Sequence, residues 1–291
     1  MYQYDIAASI VAYESDPVIL NSAIHSFLDT ELSVSILIVD NSSTNYLENT
    51  LPIDPRVKYI HNDSNVGFSK AHNQAIRYFK NNSKYFLVLN PDVYFDNTTL
   101  KSLYDYLENN PEAGLIAPRV LYPTGDIQTS RRLIPSPLDL IIRRIQLGKL
   151  FFPDRSMTNE YQTVDPKSII EAPFLLGCFL LFRTSVLNKV GLFDERFFVY
   201  LEDVDFCRRV NKHAKVVYYG KSHIYHLYQR ASSKNFKMFV LHTISMIKYF
   251  NKWGWFNDPE REEINSSAIA LMQLDKEKEE VPFSRKYAAT L

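Results

Sequence analysis

Four short apolar runs, interrupted by helical patterns, constrain this chain more than any other feature. Ile6 to Tyr13 (IAASIVAY), Val34 to Val39 (VSILIV) and Tyr85 to Leu89 (YFLVL) are nearly continuous, and Val57 to Ile60 is a shorter run. Continuous apolar strands are buried on both faces, as in a parallel sheet. Between them, Ser15-Asp16-Pro17 supplies a cap and an early proline, and Ile19, Leu20, Ile24, Phe27 and Leu28 form one apolar helical face. A second helix runs through Ala75, Ile76 and Phe79. A third begins at a cap at Asn97 and turns Leu100, Leu103 and Leu107 inward, with a further strand at Leu115 to Ala117. Alternation of this kind predicts an α/β fold: a doubly wound, mostly parallel sheet with right-handed crossovers. Such sheets bind ligands outside the carboxyl ends of their strands. Polar clusters stand at those ends, at Tyr13-Glu14, Asp40-Asn41-Ser42-Ser43 and Asn90-Pro91-Asp92. One such cluster is ordinary turn chemistry; three on one edge make a candidate site.

Composition removes several alternatives. Lys+Arg and Asp+Glu are both 33, so there is no bulk electrostatic case for a nucleic-acid partner. At 46% hydrophobic and 23% charged, the chain can bury a sizeable core. Cys178 and Cys207 form neither a disulfide framework nor a metal knuckle and are expected as core residues in a reducing compartment. No G-x-G-x-x-G follows the first strand and no G-x-x-x-x-G-K-[ST] occurs, so the usual dinucleotide and P-loop readings fail. The start of the chain carries no basic n-region before an apolar h-region. The longest apolar run, Ala172 to Phe182, contains Pro173 and Gly177 and is too short to span a bilayer. A cytoplasmic location is expected.

Past residue 120 the rhythm lapses. From Gly125 to Pro166 the chain reads as an insertion, with a basic and apolar stretch at Ile141 to Phe152 suited to anionic lipid or a lipid-linked substrate, or equally to a solvated loop with a docked helix. Phe174 to Phe182 reads as a strand, and Thr184 caps a short helix ending near Gly191. Glu195 to Arg209 then places Glu202, Asp203 and Asp205 at the start of a helix behind Phe197, Phe198 and Tyr200. Acids in a first turn complement the helix dipole, which is their bland explanation. A strand at Lys215 to Tyr219 leads to His223 and His226. Ser232-Ser233 caps a long helix, Phe236 to Phe250, whose lysines and aromatics suit a dimer, core packing or peripheral membrane contact. The last thirty residues read as a weak helix or disordered tail. The expected divisions are 1–230, split near residue 120, and a helical extension at 231–291.

The ordered motifs resemble those of the family-2 inverting glycosyltransferases with the GT-A fold, bacterial rhamnosyltransferase branch. The matching residues are Ile10-Val11-Ala12-Tyr13, Val39 to Ser43, Asn65-Val66-Gly67-Phe68-Ser69-Lys70-Ala71-His72-Asn73, Leu89-Asn90-Pro91-Asp92-Val93, Gly177, Gly191 to Phe198, Tyr200 to Asp205, and His226. The resemblance implies transfer of a sugar, L-rhamnose from dTDP-rhamnose or a sugar from a UDP donor, onto a surface-polysaccharide or lipid-linked glycan acceptor. It makes Asp203 the base, with Glu202 and Asp205 holding up its pKa by like charge. It makes Asp92 and His226 ligands of a divalent metal, Mn²⁺ or Mg²⁺, with Asn90 at the first position of the family's D-x-D-type motif, as in many relatives of this branch, and one fewer carboxylate to hold the ion. Asp40 is then the reader of the nucleotide base. Ala12, Tyr13, Glu14, Asn65, Gly67 and Lys70 line the donor, and Arg131, Arg132 and Asp205 are candidates for phosphate or acceptor contact. A sugar-1-phosphate nucleotidyltransferase would want a Gly-rich basic loop where Tyr13-Glu14-Ser15-Asp16-Pro17 stands. A non-catalytic carbohydrate-binding relative is the other alternative.

Overall fold

The computed structural model describes residues 2–144, 151–227 and 236–280. The parallel half forms first in the chain. β1 (Tyr4–Ala12), β2 (Val34–Asp40), β3 (Val57–His61) and β4 (Ser83–Leu89) alternate with α1 (Pro17–Leu28) and α2 (Phe68–Phe79). Then come β5 (Val93–Tyr94), α3 (Asn97–Asn109), β6 (Ala113–Leu121), β7 (Ile127–Gln128) and β8 (Arg131–Arg132). α4 (Pro137–Arg144) and α5 (Pro153–Asn159) occupy the expected insertion. β9 (Ile169–Glu171), β10 (Phe174–Leu175), β11 (Phe179–Arg183), α6 (Leu187–Val190), α7 (Glu202–Asn211), β12 (Lys215–His226), α8 (Phe236–Trp253) and α9 (Pro259–Glu280) complete the described chain.

The main sheet runs β3-β2-β1-β4-β11-β6-β12-β5, with β7 added beside β6 and β9 beside β12. Its first four strands are parallel. β11 enters antiparallel between β4 and β6, so the sheet is mixed, and β6 and β12 are parallel again. Alternate residues of β1 serve two cores: Ala7 packs under α2 and α7, whereas Ile6, Ala8 and Ile10 pack under α1 and α3. This two-sided burial is why the strands read as unbroken apolar runs. Asp16 rather than Ser15 caps α1, accepting from the Val18 and Ile19 amides, and Pro17 follows at the first helical position. The segment expected as one strand over Phe174 to Phe182 is broken at Gly177: β10 pairs with β8 and β11 joins the main sheet. Register matters most at the sheet's edge. Ala12 pairs with Asp40 and Asp40 with His61, so the polar ends of β1, β2 and β3 align in a row.

α8 and α9 are packed into the core that α2 and α7 share, through Tyr249, Phe250, Ala268 and Met272. The middle of the expected basic insertion (145–150), the expected cap at Ser232 and Ser233, and the chain beyond 280 lie outside the described residues. Among the described residues no helix is long and apolar enough to cross a membrane. Both cysteines are buried and unpaired.

A buried ion pair joins α7 to α9. The Arg208 Nη1 donates to Asp258 Oδ2 at 2.7 Å, Nη2 donates to Oδ1, and both side chains are almost wholly enclosed. Asp258 also caps α9, accepting from the Arg261 amide at 3.0 Å. Asn at 258 keeps the capping group but removes the enclosed counter-charge, leaving the guanidinium to the carboxylate of Glu260 at 3.4 Å. Asp258→Asn is expected to lower the unfolding free energy by about 3–5 kcal/mol. Urea denaturation checks this: the midpoint should fall with an unchanged slope, and a loss below about 1 kcal/mol would contradict it.

Candidate active site

The site is assembled from loops at the carboxyl edge. Three of them are pinned to one another by short polar side chains. Glu14, at φ 48°, donates its amide to Ser42 Oγ (2.8 Å) and its Oε1 accepts from the Ser43 amide (2.9 Å). The Ser43 N–H holds the Glu14 carboxyl below its ordinary range. Asn62 donates to Asn41 Oδ1 (2.8 Å), and Asn65 Oδ1 accepts from the Gly67 amide (2.9 Å). Gly67, at φ 85°, opens α2. A Cβ there would stand 2.6 Å from the Phe198 carbonyl, so only glycine permits the approach. The Phe68 amide donates to that same carbonyl at 2.6 Å. Ala12 is buried, Tyr13 is half exposed and Lys70 is exposed on α2. Hydrogen bonds from Asn73 and Arg77, reinforced by the charges of Arg77 and Lys70, hold the Glu195 carboxyl low.

Asp40 departs from its expected role. It is completely enclosed, its Oδ1 accepting from the Ser42 amide (2.9 Å) and its Oδ2 from the Tyr59 hydroxyl (2.8 Å). In this arrangement it anchors the loop after β2 and offers no exposed atom to a nucleobase. Arg131 departs as well. Its guanidinium donates inward to the carbonyls of Tyr161, Val164 and Asp165 and lies 4.3 Å from the Tyr218 ring centre. Asp205 is the third correction: fully buried, it accepts from Lys252 Nζ (2.5 Å), Trp253 Nε1 (2.8 Å) and Arg209 Nε (2.8 Å). Asp205 therefore docks α8 onto α7 and does not face an acceptor. A buried carboxylate needs such partners, and a sequence does not display them.

Two acidic positions remain close to the β10–β11 turn. The Gly177 amide donates to Asp203 Oδ2 at 3.0 Å, and the Asn90 amide donates to the Cys178 carbonyl at 2.9 Å. The Cys178 thiol is raised first by burial and then by the charges of Asp92 and Asp203, so both carboxylates lie near it. Asp92 Oδ1 lies 3.3 Å from His226 Nε2, and Asn90 Nδ2 lies 3.5 Å from the same nitrogen. Glu202 and Asp203 begin α7. They follow Tyr200 (φ 72°) and Leu201 (φ 67°), two consecutive left-handed residues that are not glycine. Such residues cost about 1–3 kcal/mol each and persist where packing overdetermines them. Here Leu201 is buried, Tyr200 packs on the His242 ring of α8, and Ser245 Oγ donates to the Val199 carbonyl (2.8 Å).

Burial, more than like charge, raises the Asp203 carboxyl. The Gly177 and Val204 N–H groups and the charges of Arg143 and Arg132 oppose it. Glu202 is raised well above its ordinary value by burial first and by the charge of Asp203 second. Its Oε2 has no hydrogen-bond partner among the described residues. Like-charge repulsion therefore acts on Glu202, and the expected help from Asp205 to Asp203 is not seen. The sequence also missed Tyr59, Asn62 and Gln128. Their polar side chains carried no spacing signal and gain their places only through tertiary contact.

Among the described residues no cluster of three or more His, Cys, Asp or Glu could hold a metal. Asp92 and His226 nonetheless suit one. Gln128 Nε2 donates to the carbonyls of His226 (2.7 Å) and Leu121 (3.3 Å), so its Oε1 faces His226 Nδ1 at 3.1 Å. Nδ1 then carries the proton. The ring Nε2 faces Asp92 Oδ1 at 3.3 Å, close enough for imidazole and carboxylate to share one cation.

A mixed, mostly parallel sheet flanked by helices, with a polar carboxyl edge, has the architecture of the GT-A fold. Residues 9–191 match the family model described as glycosyl transferase family 2, and the chain belongs to that family. The matched stretch ends before Glu202. The chain is 32% identical over 199 residues to an N-acetylglucosaminyl-diphospho-decaprenol L-rhamnosyltransferase of Mycobacterium tuberculosis, covering 64% of this chain and 63% of that protein. It is 28% identical over 212 residues to the low-salt glycan biosynthesis hexosyltransferase Agl10 of Haloferax volcanii, covering 72% and 62%. The chain thus spans less than two thirds of the length of these relatives. Among solved structures, GalNAc-T7 with UDP, GalNAc and Mn²⁺ superimposes with a TM-score of 0.61 at 13% identity, over 95% of this chain and 54% of that one. Staphylococcus aureus TarS (residues 1–349) gives 0.54 at 13% identity, over 97% and 76%. At that identity the likeness concerns the fold.

The raised carboxyl of Glu202 has a measurable consequence. The folded state holds its proton more tightly than the unfolded chain. Wild-type stability therefore falls as pH rises from the ordinary value of 4.5 through the raised folded value. Glu202→Gln escapes that loss. Urea denaturation across pH should find the variant more stable than wild type at neutral pH, the curves converging towards acid. Curves that stay parallel would contradict burial of an ionisable Glu202.

Proposed function

We propose that the protein transfers a sugar from a nucleoside diphosphate to an acceptor hydroxyl with inversion at the anomeric carbon. The observation that carries this reading is that one tight turn, at Gly177 and Cys178, ties Asp203 to the segment that bears Asn90 and the Asp92–His226 pair. In the proposed step, Asp203 takes the proton of the acceptor hydroxyl as its oxygen attacks the anomeric carbon and the bond to the diphosphate oxygen breaks. The raised carboxyl suits a base, and a positioned base contributes about 10²–10⁴-fold. Glu202, buried beside it, favours the neutral form and keeps the pair from ionising twice. Asp92 and His226 would hold a divalent ion, Mn²⁺ or Mg²⁺, which when bound neutralises charge on the departing diphosphate. Ala12, Tyr13, Glu14, Asn65, Gly67 and Asn90 would line the donor, with residues 1–120 as the donor half and 121–230 as the acceptor half.

The proposed donor is dTDP-L-rhamnose, supported by the names of the M. tuberculosis relative and of the Escherichia coli rhamnosyltransferase WbbL, 26% identical over 195 residues. UDP-sugars are the alternative. Arg132 and Arg143, whose charges act on Asp203, suit an acceptor bearing phosphate, such as a lipid-linked glycan. The outer face of α8 exposes Phe236, Phe239, Val240, Ile244 and Ile247 and carries no acid between residues 236 and 253. That stripe suits peripheral contact with the inner face of an anionic membrane, or a second copy of the chain. Sedimentation with anionic vesicles favours the first, and a concentration-dependent mass in light scattering without it favours the second.

The test is release of nucleoside diphosphate from dTDP-rhamnose, UDP-galactofuranose, UDP-GlcNAc and UDP-glucose, with Mn²⁺ and with EDTA. One donor should be turned over in a metal-dependent way, and Asp203→Asn should lower that rate by about 10²–10⁴-fold. Full activity in Asp203→Asn, or binding of none of the donors, would overturn the reading.

A further inference from the structure

We infer that Gln128 is a positioning residue that fixes His226 in the one tautomer able to bind a metal together with Asp92. The inference rests on the Asp92–His226 reading above. Gln128 ends the short strand β7, which adds to the sheet beside β6 through a Val120–Gln128 pairing, and its side chain is buried. Its amide cannot be turned over without loss. Both groups that accept from Nε2, the carbonyls of His226 and Leu121, can only accept. Reversal would set the Gln128 oxygen against two carbonyl oxygens in a buried place. The Oε1 is therefore fixed opposite His226 Nδ1, and an oxygen opposite that nitrogen keeps the proton on it.

The His226 backbone is held as firmly as its ring. His226 pairs with Val93 of β5, and the amide of Leu227 donates to the Asp92 carbonyl at 3.0 Å. Imidazole and carboxylate are thus locked by neighbouring backbone, and Gln128 decides which ring nitrogen is available between them. An apolar side chain at 128 would leave Nδ1 without its acceptor. The proton would then move to Nε2, where Asp92 Oδ1 accepts it at the same 3.3 Å spacing. That internal hydrogen bond would compete with the ion for both ligands.

The ring nitrogens of metal-free wild type and Gln128→Leu are read by ¹⁵N-correlated NMR above pH 8, with His226→Asn to assign the signal. Mn²⁺ alone is titrated by electron paramagnetic resonance in parallel. Wild type should show His226 protonated on Nδ1. Gln128→Leu should shift the proton to Nε2 and weaken Mn²⁺ binding about 10–100-fold. An Nε2-protonated wild type, or a Gln128→Leu variant with unchanged tautomer and affinity, would overturn the inference. Unchanged Mn²⁺ binding in Asp92→Asn would instead reject the metal reading, while the wild-type tautomer would still be judged by its own spectrum.

Discussion

Two backbone hydrogen bonds at one tight turn hold the candidate site together. Gly177 donates to the Asp203 carboxylate, and the Cys178 carbonyl accepts from Asn90. Through the first, the turn fixes the start of α7. Through the second, it fixes the end of β4, where Asn90 and Asp92 stand. The turn exists because the chain leaves the small β8–β10 pair and enters the main sheet as β11, antiparallel to β4. Glycine at 177 suits this approach, since a Cβ there would lie 3.1 Å from the Asp203 Cβ. The spacing between Asp203 and the segment bearing Asp92 is thus set by sheet pairing rather than by flexible loops.

The acidic segment is held under tension from behind. Tyr200 and Leu201 adopt left-handed backbone that ordinary residues avoid. Contacts from α8 offset that cost: Ser245 to the Val199 carbonyl, Lys248 to the Arg196 carbonyl, and Lys252 and Trp253 to Asp205. The buried Arg208–Asp258 pair then ties α7 to α9. The C-terminal helices accordingly belong to the machinery that aims Glu202 and Asp203. A change in α8 can alter the site without touching a ligand, because it releases strain stored next to the carboxyl pair.

Much of this was legible in the sequence, for definite reasons. Strands buried on both faces write themselves as apolar runs, and the carboxyl-edge polar clusters follow from their ends. The positions of Asp92, Asp203 and His226 came from ordered motifs, and tertiary structure brings them around Cys178. What failed were residues of the right type whose partners lie far off in the chain. Asp40, Arg131 and Asp205 carry charges that invite a ligand, yet Tyr59, a set of backbone carbonyls and Lys252 satisfy them. Gln128 was hidden for the converse reason. A lone glutamine has no periodicity or spacing, and its meaning arises only when β7 lies against the end of β12.

The central claim is that the two acidic positions have different work, a cation beside Asp92 and a proton at Asp203. Anomalous-scattering crystallography of the protein soaked with Mn²⁺ and a nucleoside diphosphate tests it most directly. The account predicts a manganese peak between Asp92 and His226, with no ligand from Asp203. A peak coordinated by Glu202 and Asp203 would contradict it, since it would make the carboxyl pair a metal site and leave the reaction without its base.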